Sequence, residues 1–102
     1  MKSDKAVKMF KAISVQIRLD LMHEIIKSCD NGICPNDLMK KFDITSPNLS
    51  FHLKELENAG FVYKERKGQF SFYKAKCCNI ESLINFLICN CKEAKYGKRK
   101  TA

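Results

Sequence analysis

At 102 residues with 45% apolar side chains, the chain is long enough to build one compact core and too short for two ordinary domains, so a single domain over 1–102 is expected. Nineteen Lys and Arg against eleven Asp and Glu leave a net charge of +8, which points to a polyanionic partner, nucleic acid or an anionic surface. No run of about eighteen apolar residues occurs and charges recur throughout Met1 to Leu21, so neither a membrane span nor a signal peptide is expected, and a cytoplasmic location follows as an expectation.

Asp4 to Ala12 reads as a first helix, with Ala6, Val7, Phe10 and Ile13 at helical spacing. Ser14 is an N-cap candidate for a second helix over Val15–Cys29, in which Val15, Leu19, Met22 and Ile26 form an apolar stripe that Ile17, Leu21 and Ile25 widen. Asp30, Asn31 and Gly32 stop it, because Asn and Gly accept the left-handed backbone of a helix end. Pro35 suits the first position of a short third helix ending at Phe42, with Leu38 and Phe42 facing inward. After the tight connection Asp43-Ile44-Thr45, Pro47 begins a fourth helix that runs to Ala59 and stops at Gly60. Two short helices across a tight turn make a helix-turn-helix.

The aromatic and branched stretches Phe61–Lys67 and Gln69–Ala75, reversed at Gly68, predict a β-hairpin anchored by Val62, Tyr63, Phe70, Phe72 and Tyr73. Asn79–Cys91 then repeats Ile80, Leu83, Ile84, Leu87, Ile88 and Cys91 as one helical stripe, and a basic tail follows over 92–102. The order is that of a mainly α fold with a β-hairpin wing, a winged helix-turn-helix. Phe86 adds apolar surface beyond what so small a core needs, which predicts a homodimer.

In the fourth helix Leu49, Leu53 and Leu56 fall on one face and leave Ser46, Asn48, Ser50, Phe51, His52 and Lys54 on its flanks and outer surface. Small hydroxyl and amide groups near a helix start suit base edges and phosphates in a major groove, and Lys54 adds a cation one turn on. Lys64, Arg66, Lys67 and Gln69 crowd the hairpin tip, a pattern that fits a wing laid along the DNA backbone or minor groove. Neither His23 nor His52 has a chelating histidine at helical spacing.

The segments Phe10–Ser14 (FKAIS), Arg18-Leu19, Asp37-Leu38, Asn48–Val62 (NLSFHLKELENAGFV), Lys67–Gln69 (KGQ) and Tyr73 resemble the ArsR/SmtB family of metal-responsive repressors over residues 6 to 91, with Ser50–Val62 the most specific part. The resemblance implies a homodimer on a palindromic operator, an interface built from the first and last helices, and an inducer that releases the DNA. The family's Cys-Val-Cys at the start of the third helix stands here as Cys34-Pro35-Asn36, and the last helix lacks the histidines of the zinc-sensing members. The Ser50–Lys54 run and Leu87 through Cys91 look like a subgroup that senses arsenicals through cysteines at the end of the last helix; Cys91 matches a ligand position there and Cys89 is shifted from its neighbour.

Six cysteines in a chain with an apolar core and no secretion signal are expected as reduced thiols rather than a disulfide scaffold. Cys29, ending an amphipathic helix, reads as a packing residue. Soft thiolates favour As(III), Sb(III), Cu(I) and zinc, so Cys77, Cys78, Cys89 and Cys91 are candidate inducer ligands. A continuous helix would separate Cys78 from Cys91 by roughly 20 Å, so one ion is bridged only between subunits, Cys77 and Cys78 of one with Cys89 and Cys91 of the other. Packing of these thiols and disulfide-based redox sensing are the alternatives, and Cys34, near a helix N-terminus, is placed to join either the metal or the redox scheme. An enzyme is not expected: the chain has no Ser-His-Asp grouping, Gly-rich phosphate loop or paired carboxylates. The remaining rival is a thiol-rich metal-handling module with an incidental basic surface.

Overall fold

The computed structural model describes residues 1–89. Five helices and one hairpin follow in order: α1 (Ser3–Ile13), α2 (Gln16–Lys27), a single 3-10 turn (Cys29–Asn31), α3 (Pro35–Phe42), α4 (Ser46–Ala59), β1 (Val62–Lys67), β2 (Phe70–Ala75) and α5 (Cys77–Leu87). A winged helix-turn-helix is therefore present as the sequence suggests, and α3 has the expected limits with Pro35 in its first turn.

The core is built from Met9 of α1, Leu21, Met22 and Ile25 of α2, Leu38 of α3, Leu49, Leu53 and Leu56 of α4, and Phe61, Val62 and Tyr73 of the hairpin region. Which face of α1 and α2 turns inward differs from the stripes read in the sequence. Ala6, Met9 and Ala12 are the buried residues of α1, while Val7 and Phe10 are exposed. On α2 the widening residues Leu21 and Ile25 are sealed, whereas Val15, Leu19 and Ile26 face out. Apolar residues cover more of α2 than its neighbours do, so its contact face is rotated by roughly a fifth of a turn from the expected stripe.

Ser14 does not cap α2; its hydroxyl donates to the Lys11 carbonyl at 2.9 Å and closes α1, and Val15 is the residue that enters α2. Between α3 and α4, Asp43 adopts a left-handed conformation (φ 51°) and the Ile44 N–H returns to the Met39 carbonyl, which gives the compact turn of the motif. Thr45 caps α4, its hydroxyl accepting from the Asn48 N–H at 3.4 Å.

The hairpin pairs Val62 with Ala75 through Lys67 with Phe70, antiparallel and without a bulge. Its base has a third partner that the sequence did not announce: Ile33 exchanges two backbone hydrogen bonds with Tyr73 (2.9 and 3.1 Å). Gly32, at φ 77°, permits that approach, since a Cβ there would stand 3.2 Å from the Tyr73 carbonyl and 3.0 Å from Lys74. Of the five expected hairpin anchors, Val62 and Tyr73 are buried on one face of the ribbon; Tyr63, Phe70 and Phe72 share the other face, where Phe72, beside Gly32, is half-buried and Tyr63 and Phe70 are exposed.

α5 begins at Cys77 and ends at Leu87, so the expected helix over Asn79–Cys91 starts two residues earlier and stops sooner. Among the described residues of its apolar stripe only Leu83 is buried, and Leu87 is 65% exposed. Cys91 and the basic segment 92–102 lie outside the described residues. No helix of the described residues is long and apolar enough to cross a membrane.

Candidate nucleic-acid interface

Four buried residues, Leu49, Leu53, Leu56 and Ala59, clamp one side of α4 against the core. Its flanks and outer side are consequently held up to solvent, and Ser46, Asn48, Ser50, Phe51 and Lys54 are all exposed there. Phe51 is 56% exposed, a large apolar ring at the middle of an otherwise polar surface.

His52 behaves differently from its neighbours. It is half-buried, and its Nδ1 accepts a hydrogen bond from Arg18 Nε at 3.1 Å. Acceptance at Nδ1 requires the neutral imidazole with its proton on Nε2. Burial, reinforced by the Arg18 charge, lowers its pKa from the ordinary 6.5, against a smaller opposing pull from Glu55. The same guanidinium stands 5.4 Å from the centre of the Phe51 ring, and the Phe51 and His52 rings meet edge to face at 5.2 Å. Arg18 therefore couples α2 to two adjacent residues of α4. Sequence reading used Arg18 only as part of the family resemblance and gave it no role; a lone cation within an otherwise apolar helix face was the available signal.

Lys64, Arg66, Lys67 and Gln69 are exposed at the far end of the hairpin. Lys64 and Arg66 share one face, with Lys64 Nζ 5.8 Å from the Tyr73 ring across the ladder. Lys67, on the other face, reaches the Phe72 ring at the same distance. Glu65 is matched on that second face by Lys74, whose hydrogen bond and charge lower the Glu65 pKa and which is itself raised in return. The one carboxylate of β1 is thus neutralised locally, and the tip keeps its cations for an outside partner.

Among the described residues the exposed thiols are scattered. Cys77, Cys78 and Cys89 are exposed, at the two ends of α5, and the rise of a helix puts about 18 Å between Cys77 and Cys89. Among the described residues no three His, Cys, Asp or Glu side chains converge on one point. Cys34 lies apart, half-buried before α3 with its Sγ 3.5 Å from Asp37.

The description "Bacterial regulatory protein, arsR family" matches residues 16–64, from α2 through the first half of β1. An arsenical resistance operon repressor of Bacillus subtilis (strain 168) is 37% identical over 81 residues, which cover 78% of this chain and 74% of that protein. Among solved structures, an ArsR-like transcriptional regulator from Rhodococcus sp. RHA1 superposes with a TM-score of 0.75 at 18% identity, over 82% of this chain and 76% of that one. Reduced HlyU from Vibrio cholerae N16961 superposes at 0.68 with 27% identity, over 84% and 87% respectively.

Proposed function

The chain belongs to the arsR family of bacterial regulatory proteins, and from that premise we propose that it is a homodimeric operator-binding repressor which lets go of DNA when a thiophilic metalloid binds its cysteines. The observation that carries the DNA half of this reading is the joint exposure of the α4 start and the cationic wing tip, two elements on rigid supports. In it Ser46, Asn48 and Ser50 face base edges and phosphates, Phe51 meets a thymine methyl, and Lys54, Lys64, Arg66, Lys67 and Gln69 hold the backbone. His52 has the supporting part of fixing α4 against Arg18.

For the inducer half, Cys77 and Cys78 of one subunit and Cys89 and Cys91 of the other act as thiolate ligands for an ion of the As(III) or Sb(III) class. Exposed thiols at both ends of α5 suit that arrangement, since antiparallel packing of two such helices brings opposite ends together. Binding across the interface would change the spacing of the two α4 helices, the coupling that induction requires. The likeness to the arsenical resistance repressor supports the metalloid, and among the described residues of one chain no three candidate ligands converge.

A second reading rests on the exposure of these same thiols and on the likeness to reduced HlyU: a peroxide-class oxidant takes two electrons and two protons from a thiol pair, forming a disulfide. Titration of a duplex from the chain's own upstream region, with and without arsenite, zinc, Cu(I) and peroxide, separates the two. Release by arsenite that Cys91→Ser abolishes is the expected result. Release by peroxide alone would transfer the assignment to redox sensing, and release by none would remove the cysteines from regulation.

A further inference from the structure

Arg18 is the one charged side chain taken out of water among the described residues, at 8% exposure. Its Nε donates to His52 and one Nη to the Ala12 carbonyl at 3.2 Å, and neither acceptor bears a negative charge. Of the described residues, no carboxylate lies within ion-pair distance of it. A buried cation without an anion is costly, and a guanidinium has five donors of which these contacts use two. What remains of its surface opens into a cleft of about 430 Å³ between α1, α2 and α4.

Lys8 and Lys11 of α1 enter that cleft from one side, and Glu55 and Asn58 of α4 from the other. Three cations face one carboxylate, which leaves two positive charges unmatched. Lys8 lies across α1 from Phe10, while Lys11 stands one turn from Val7, so an apolar subunit contact centred on Phe10 leaves the Lys8 side of the cleft open.

We propose that this cleft is an oxyanion site for a phosphate-bearing ligand. The charge excess matches a phosphate dianion, a planar guanidinium fork from α2 and two ammonium groups from α1 suit its several acceptor oxygens, and the Asn58 amide supplies a neutral donor. Because Arg18 also stacks on Phe51 and holds His52, an anion captured there stiffens the exposed face of α4. Two sources offer this chemistry: a free phosphorylated small molecule and the backbone of DNA passing along the side of α4. The site depends on neither the thiol nor the dimer proposal.

Orthophosphate titrated at fixed ionic strength against a chloride reference, read by thermal unfolding and by the His52 imidazole resonances, tests it. The expected result is a saturable rise in Tm and shift of His52 with phosphate only, weakened about tenfold by the Lys8→Gln/Lys11→Gln double variant, which leaves the core intact. The same charge change at Lys40 and Lys41, on α3, leaves the response as in the parent. Arg18→Gln removes the response where the variant folds. Identical behaviour in phosphate and chloride, or a Lys8/Lys11 variant that responds like the parent, overturns the proposal. With an upstream-region duplex bound, loss of the phosphate response assigns the site to the DNA backbone, and its persistence assigns it to a free ligand.

Discussion

Leu53 sits sealed in the core at the centre of α4, one residue from exposed Lys54 and two from exposed Phe51. The outward face therefore depends on the inward one, and Leu53→Ala should cost about 2–5 kcal/mol in a urea melt while leaving the surface chemistry unaltered. A loss well under 1 kcal/mol would mean that α4 is not anchored there. His52 makes a different prediction. Its folded pKa is lowered, so the unfolded chain takes up the proton first; the contribution to stability is complete above the ordinary value of 6.5 and is lost as pH falls below it through the depressed folded value. Relative to His52→Gln, the parent protein should become less stable between about pH 7.5 and pH 5, and parallel pH profiles would contradict the Arg18–His52 contact.

At the scale of elements, the α4 end shows how a helix stop and a helix contact combine. Gly60 takes φ 92°, and its carbonyl accepts from the Asn79 amide of α5 at 2.9 Å. A Cβ on Gly60 would come 3.1 Å from that amide and force a left-handed alanine, so Gly60→Ala should lower stability by about 1 kcal/mol or more and loosen the start of α5. A neutral effect on the melt would show that the α4–α5 junction has slack. The stop itself was plain in the sequence, as were α3 and the two strands, because Gly, Pro and β-branched residues act locally. The inward faces of α1 and α2 were not plain. Val7, Phe10, Leu19 and Ile26 are as apolar as the residues that are buried, and periodicity reports that a helix has an apolar side without saying which edge its neighbours cover. For the same reason the bridge from Ile33 to Tyr73 was invisible: it joins residues forty apart through backbone atoms alone.

For the molecule as a whole, the polar face of α4 and the wing were legible because their side chains act where they stand, whereas Arg18 gained its meaning only from what folding put around it. The exposed apolar residues left at Val7, Phe10, Phe86 and Leu87, on the packed pair α1 and α5, belong to the subunit contact in this account. Leu87→Asp should turn a sedimenting dimer into a monomer at micromolar concentration without changing the fold, and an unchanged sedimentation coefficient would place the contact elsewhere. The central claim is that α4 and the wing together lie on a duplex, and its most direct test is the salt dependence of affinity for a duplex from the chain's own upstream region. Replacing Lys64, Arg66 and Lys67 by Gln should lower the slope of log affinity against log salt by roughly 2–3 per subunit, since each lost phosphate contact spares about one counterion. A slope equal to that of the parent protein would show that the wing tip does not touch DNA.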